Sequence, residues 1–390
     1  MKLGYFSHTN LLVTETFIYD LVKDLNADSA INLTYYSGHC TGKVNVNYNL
    51  KSVLTGFSES GEKLSYKAFK IGQLLGGKKG YAFKMAVQKK MAYKALLNTI
   101  KDNMDVAYID YANSAILLRE YLNANKIPFI LHVHGYDITI SLNDPIYVEE
   151  LSKVFKDAKF IIAASHYVRR LLILLGAEEN KIQVIRLGID VAAIKPLAWT
   201  ERLKQNPSVI FIGRLTEKKH PIALLHAFKI VLKEIPNAKL TIIGDGPLKA
   251  EIINRINLLE IGDAVTLTGS LSQEESFLHL NNNWVYAQHS VTSKSGDQEG
   301  YALSPAEAAA HELPVVSTLH NGIPEHVIDS VTGYLVPEFN FEAMAEKIIF
   351  LLKNPSIAEQ MGIRGRKNIE QLNNRVLRTE SIKKILFNSL

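Results

Sequence analysis

The chain is short of cysteine, of long apolar runs and, over one stretch, of acid. Its 390 residues hold a single cysteine, Cys40. A lone thiol excludes an internal disulfide and any metal cluster built from several cysteines. Free cysteine is more often a packing residue than a nucleophile. We read Cys40 that way, in a reducing, cytoplasmic setting. No apolar run reaches the ~18 residues of a membrane-spanning helix. The longest candidates, Leu171–Leu175 and Ile348–Leu352, are core-sized. The first twenty residues carry Glu15 and Asp20 and no clean apolar centre, so they read as a mature start rather than a secretory signal. Acid nearly vanishes between Glu62 and Lys101, where ten lysines stand against Glu62 alone. Met85, Met91, Leu96, Leu97 and Ile100 recur there at roughly helical spacing. Two readings stay open: a solvated helix face, or a surface at 63–101 that meets anionic membrane or a polyanionic acceptor. No nucleic-acid motif accompanies the lysines, and no nucleic-acid partner is expected.

What is present is average for a soluble globular protein: 47% apolar residues, 21% charged and a net charge of +5. At ~100–200 residues per domain, two domains are expected. Short apolar runs alternate with longer amphipathic segments. Candidate strands in the first half are Leu3–Phe6, Ile31–Tyr36, Val106–Ile109, Phe129–Val133, Phe160–Ala163 and Gln183–Arg186. Helices such as Ser114–Asn125 and Tyr167–Leu175 separate them. Continuous apolar strands in a β-then-α rhythm predict an α/β fold with a doubly wound parallel sheet. The rhythm breaks over 189–207, between Pro196 and Pro207, where we place an interdomain linker. A second series follows: Val209–Ile212, Leu240–Ile243, Val265–Leu267, Val285–Ala287 and Val315–Ser317, with helices at Ala223–Glu234 and Leu248–Leu259. The expected domains are 1–190 and 191–374, with a helix-like tail over 375–390 that packs back on the first. In two such sheets, ligands bind beyond the carboxyl ends of the strands, and the cleft between the domains is the first place to look.

Four stretches could carry chemistry. "VIFIGRLTEKKH" (209–220) runs from a strand into a loop with Arg214, Lys218 and Lys219. Gly213 allows a sharp turn, and cations past a strand's carboxyl end sit where a phosphate binds. A solvated loop is the plain alternative. "LTIIGDGPLKAEI" (240–252) is strand, turn and helix. Gly244 and Gly246 permit close backbone approach, and Pro247 fits the helix's first turn. Its spacing is not the G-x-G-x-x-G of a dinucleotide site, which counts against a dehydrogenase. "FILHVHGYDI" (129–138) puts His132 and His134 on one face of a strand. No third metal ligand is evident nearby, so no metal is assigned. A polar group beside Gly135 or a satisfied structural histidine fits better. "GDQEGYALSPAEAAAHELPVVST" (296–318) holds Glu299 and Glu307. Ser304-Pro305-Ala306-Glu307 reads as a capping box, which alone would explain Glu307. Glu299 has no such local reason. The amides of Gly300 and Tyr301 beside it offer an anion pocket. Phosphate plus hydroxyls points to a nucleotide sugar.

Together these residues resemble the retaining glycosyltransferases of family four, which have the GT-B fold of two Rossmann-like domains facing across a cleft. The matching pieces are "TETFI" (Thr14–Ile18), "HVHGYD" (His132–Asp137), "GRLTEKKH" (Gly213–His220), "GDGP" (Gly244–Pro247), "GDQEGYALSPAEA" (Gly296–Ala308) and "PVVST…GIPEHV" (Pro314–Val327). Their order and spacing make the match specific, and the "TETFI" start and "GDQEG…GIPE" pattern look most like bacterial exopolysaccharide, capsule or lipopolysaccharide enzymes of that family. The resemblance implies that Arg214 and Lys219 neutralise the donor diphosphate and that Glu299 holds the donor sugar's hydroxyls. Gly300 and Tyr301 would give amides, Glu307 would bind the ribose, and His134 would reach the sugar. Gly213 and Gly246 join the donor-binding set, and Thr14 and Glu15 would line the first-domain side. It implies retention of configuration, no cofactor and no metal. The donor would be a UDP or GDP sugar, the acceptor lipid-linked or polysaccharide, the setting the inner face of the membrane. Two positions depart from the family: His220 stands where Gly is frequent, and His289-Ser290 where Pro-Ser is. An epimerase of the same fold and a non-catalytic nucleotide-sugar-binding subunit are the alternatives.

Overall fold

A computed structural model describes the chain apart from residues 8–15, 38–48, 53–66, 68–69 and 101–102. Thr14, Glu15, Cys40, Lys63 and Lys101 lie outside the described residues. The chain divides into two compact units, Met1–Arg186 with Val376–Leu390, and Leu187–Arg375.

Among its described residues the first unit holds seven parallel strands: β1 (Lys2–Ser7), β2 (Asn32–Ser37), β3 (Asn49–Ser52), β4 (Val106–Asp110), β5 (Phe129–Val133), β6 (Phe160–Ala163) and β7 (Ile182–Val184). Their order is β3-β2-β1-β4-β5-β6-β7. The residues of β4 and β5 are buried throughout, which is why they read as unbroken apolar runs. Tyr5 pairs in register with Tyr35 and with Tyr108, so three buried tyrosines stack across the middle of the sheet. The C-terminal helix Arg375–Phe387 belongs largely to this unit. Arg378 donates to Phe17 O at 3.0 Å, Thr379 bonds Asp24, and Lys383 pairs with Asp28.

The second unit has its own core and six parallel strands: β8 (Ser208–Ile212), β9 (Lys239–Ile243), β10 (Val265–Gly269), β11 (Val285–Gln288), β12 (Val315–Thr318) and β13 (Gly333–Val336). The order β10-β9-β8-β11-β12-β13 is the Rossmann order 3-2-1-4-5-6. The order reverses between β8 and β11, so the loops leaving these two strands flank the switch point.

Three expectations change. The units divide at 186/187 rather than 190/191, and Arg375 stays with the second. The stretch read as a linker is built into the second unit. Trp199 is buried in its core and Arg202 is fully buried, with its guanidinium donating to the carbonyls of Leu197, Asn283 and His311. Burial lowers the Arg202 pKa to about 10. Strands β3 and β13 are additions that the apolar pattern did not mark.

Candidate active site

In the second unit, β8 ends at Ile212 and the chain runs through Gly213 and Arg214 to a 3-10 turn at Glu217–Lys219. Gly213 N–H is taken by Ile243 O, so this glycine contributes room rather than an amide. A Cβ there would lie 3.6 Å from Lys219 Cε. Gly244 (φ 142°) and Gly246 (φ 158°) give the closer fit. A Cβ on Gly244 would meet Gly213 O at 1.9 Å, and one on Gly246 would meet Leu215 O at 2.6 Å. The two strand-end loops thus touch backbone to backbone. Gly246 N–H bonds Asp245 Oδ1, and the helix begins only at Lys249, so Pro247 precedes it rather than opening it.

The two lysines have different partners. Lys218 turns inward to Asp297 Oδ1 at 3.0 Å and Gln298 O at 3.3 Å. Lys219 Nζ lies 3.2 Å from Glu299 Oε1, with Lys218 Nζ at 4.0 Å from the same oxygen. Side-chain exposure is 12% for Lys219 and 8% for Glu299. Burial alone would push the Glu299 carboxyl up. Lys219 and Lys218 outweigh it and hold the carboxyl at about 2. Lys219 also lies below its ordinary range, first through burial, then because Lys218 and Arg214 work against Glu299. A simple one-to-one pair would raise the lysine. Here both shifts point down: burial leads for Lys219, and the two lysines lead over burial for Glu299. Arg214 stands exposed at the edge of this group. The Lys219 contact is ionic rather than an aligned hydrogen bond, and Glu299 Oε1 meets no hydrogen-bond donor in good geometry among the described residues.

Gly300 and Tyr301 follow Glu299 and are buried. Tyr301 points its hydroxyl to Asn373 Oδ1 at 2.7 Å and packs on His326, so only its backbone is placed for a ligand.

The capping box is not formed. The helix runs Leu303–Ala310, and its N-cap is Ala302 in the left-handed region (φ 61°). The Ser304 hydroxyl bonds Tyr286 and Gln288 instead. Pro305 falls at the third helical position, where a missing N–H has no intrahelical acceptor to lose. Glu307 therefore loses its capping explanation. Its Oε1 accepts from Gln273 Nε2 at 3.2 Å.

In the first unit, His134 follows β5. Its Nε2–H donates to Asp110 Oδ1 at 2.8 Å, its ring lies between Phe17 and Tyr111, and its Nδ1 is buried without a hydrogen-bond partner among the described residues. His132 is wholly buried, with Nδ1 2.7 Å from the Tyr108 hydroxyl. Burial, then His134 and Arg378, push its pKa well below the ordinary range. The third ligand that the local sequence did not offer is Asp110, which strand register sets opposite His132. Ligand atoms of Asp110, His132 and His134 come within 4.8 Å of one another. Asp110 Oδ1 and His134 Nε2 are bonded to each other, and His132 Nδ1 bonds Tyr108. Asp110 Oδ2, His132 Nε2 and His134 Nδ1 stay buried without a hydrogen-bond partner among the described residues. Asp110, Asp297, His320 and Glu338 are contacts that motif reading missed. Asp110 had one signal, a carboxylate closing a buried apolar strand.

Residues 62–193 match the family described as Glycosyltransferase Family 4, and residues 198–368 match Glycosyl transferases group 1. The amylovoran biosynthesis glycosyltransferase AmsK of Erwinia amylovora is 30% identical over 237 residues, 61% of this chain and 58% of that protein. The putative colanic acid biosynthesis glycosyltransferase WcaL of Escherichia coli K12 is 31% identical over 219 residues, 55% and 53% of the two chains. The matched region thus spans little more than half the length of these relatives. The structure of Anabaena Alr3699/HepE in complex with UDP and glucose superposes over all of both chains, with TM-score 0.75 at 16% identity. Two Rossmann-type sheets, the first partly and the second wholly within a family match, agree with that fold: the chain belongs to the family four, group 1 glycosyltransferases and has the GT-B fold.

Proposed function

We propose that the protein is a retaining glycosyltransferase that moves a hexose from a nucleoside-diphosphate sugar to a lipid-linked or polysaccharide acceptor in bacterial surface glycan synthesis. UDP is the favoured nucleotide and GDP the next. The observation that carries this reading is the gathering of Lys218, Lys219 and Arg214 about the buried, ionised Glu299 near the second sheet's switch point. Such a pocket attracts a diphosphate, and its carboxylate oxygen can accept from a sugar hydroxyl. Arg214 and Lys219 would neutralise the diphosphate and the charge that grows as it leaves. No metal is then needed for that task. The acceptor would attack from the face the phosphate leaves, and the departing phosphate would take its proton. Gly300 and Tyr301 would offer amides. Glu307 would hold the ribose. On the first unit, His134 fixed by Asp110 is the candidate for the donor sugar. The names of AmsK and WcaL and the UDP and glucose bound to HepE support this choice of chemistry.

Membrane contact belongs to the same reading. Ile71, Leu74, Leu75, Tyr81 and Phe83 are exposed, Leu74 at 87%, among Lys70, Lys79 and Lys84. Apolar and basic groups so interleaved suit an anionic lipid surface. No described helix is long and apolar enough to cross a membrane. Lys89 does not join this face. It pairs with Glu120 at 2.5 Å and Glu150 at 2.9 Å inside the unit.

A thermal-shift panel of UDP, GDP and their sugars tests donor choice, because a ligand of the folded state raises apparent stability. Transfer by Glu299→Gln and Glu299→Ala then tests the site. Both variants should bind UDP or GDP and lose transfer. Normal turnover in either would overturn the assignment. Donor converted to an epimer without acceptor would point instead to an isomerase.

A further inference from the structure

Strands β12 and β13 pair Thr318 with Val336. Two residues beyond each, His320 and Glu338 meet side chain to side chain, Nδ1 to Oε1, at 2.6 Å. His320 is fully buried and Glu338 is 27% exposed at the side chain. The other imidazole nitrogen, Nε2, accepts from Glu299 N–H at 3.2 Å and lies 2.9 Å from Asn321 Nδ2, itself a donor to Gln298 Oε1. Two donors at Nε2 leave the ring proton on Nδ1, where it faces the Glu338 carboxylate. Glu338 Oε2 accepts from Thr292 N–H at 2.9 Å. One carboxylate and one imidazole thus grip both ends of the loop from Thr292 to Glu299. The grip on the far end is the backbone amide of Glu299 itself.

We propose that His320 and Glu338 are positioning residues for Glu299. They fix its main chain so that its carboxylate stays at Lys219 and the following amides keep their direction. The proposal rests on the reading that Glu299 meets the donor sugar. A neutral imidazole oriented by a carboxylate is the same physical device that holds ligating histidines in one tautomer, where losing the outer partner costs 10- to 100-fold. Here the imidazole orients a backbone amide instead of a metal.

The test uses the full chain with His320→Ala, His320→Gln and Glu338→Gln. Probes are UDP against UDP-glucose, and GDP against GDP-mannose. His320→Ala should lower kcat roughly 10- to 100-fold and weaken binding of the nucleotide sugar, while binding of the bare nucleotide stays at the parental value. Gln at 320 can still accept from Glu299 N–H and should recover much of the loss. Amide hydrogen exchange at Glu299 should quicken in His320→Ala, a readout that needs no substrate. Equal weakening of nucleotide and nucleotide sugar, or no rescue by Gln, would mean a general structural role and overturn the proposal. If His320→Ala does not fold, Glu338→Gln, at a part-exposed position, carries the same expectations in reduced size. If Glu299→Ala is inactive and His320→Ala keeps full turnover and slow exchange, only this proposal falls. If Glu299→Ala itself is active, the functional reading falls and takes the proposal with it.

Discussion

At the ends of β4 and β5, one carboxylate, Asp110, faces two imidazoles. At the ends of β8 and β11, one carboxylate, Glu299, faces two ammonium groups with a guanidinium beside them. The sheets beneath share their strand order through six strands, so the scaffold does not set the difference. In the first unit Tyr108 bonds His132, Asp110 bonds His134 and Asp137 accepts from three backbone amides, while Asp110 Oδ2, His132 Nε2 and His134 Nδ1 are buried without a partner among the described residues. In the second unit the charges do not balance. Lys218, Lys219 and Arg214 outnumber Glu299 and Asp297 by one, and one buried oxygen of Glu299 has no aligned donor among the described residues. A site led by a buried carboxylate has little to offer an anion. A site with surplus positive charge has much to offer.

The largest expected effect is on transfer. Lys219→Met should lower kcat/KM by about 100- to 1,000-fold, the usual scale for one preorganised group at a developing anion. Asp110→Asn should cost nearer 10-fold, because Asp110 acts through His134. Steady-state kinetics on the same acceptor check both, and equal losses would erase the contrast.

Acid titration comes next, and its sign differs between the units. Glu299 has a depressed folded pKa of about 2 against an ordinary 4.5. Its contribution is complete above pH about 4.5 and is lost as pH falls towards 2, roughly 3 kcal/mol in all. Asp137 moves the other way. Burial raises its pKa despite its three backbone donors, so its ionised form is penalised on folding and the penalty eases as pH falls. Urea unfolding of parent and Glu299→Gln from pH 5 to 2 should show the steeper loss in the parent. Parallel curves would remove Glu299 from the balance.

Much of the fold was legible because buried parallel strands advertise themselves. "VAYID" and "FILHV" have no polar face to confuse the period. The two strands that escaped notice are at sheet edges: "NLKS" is polar, and "GYLV" starts at a glycine and ends at Pro337. The supposed linker misled because proline spacing was read and Trp199 was not. A buried tryptophan beside an arginine that donates to three carbonyls is a core element despite its irregular backbone. The capping box failed for a non-local reason. Tyr286, eighteen residues earlier in sequence, captures the Ser304 hydroxyl. The same limit hid His320 and Glu338, whose meeting depends on the register of two strands.

Smaller effects separate the units further. Reversing charge at Lys84, Lys90 and Lys94 should weaken binding to anionic vesicles by about 1 kcal/mol per lysine near the surface and leave unfolding unchanged. Lys89→Glu should instead destabilise the first unit, because Lys89 sits between Glu120 and Glu150. Vesicle sedimentation beside thermal unfolding distinguishes the two, and unaltered sedimentation of the triple variant would leave only a solvated face.

The smallest effect concerns His220, which occupies a left-handed conformation (φ 43°, ψ 50°) at the start of the helix Pro221–Glu234. Its ring lies against His289 and Phe339. Removing the ring forfeits those contacts in any variant, so Gly and Ala at this position differ chiefly in backbone freedom. His220→Gly should unfold within about 1 kcal/mol of the parent, since relief of the positive φ offsets lost ring contact. His220→Ala should be about 1 kcal/mol less stable than His220→Gly. Equal stability of the two would show that the left-handed turn carries no strain. The ring contacts alone would then account for histidine at a position where the family so often has glycine.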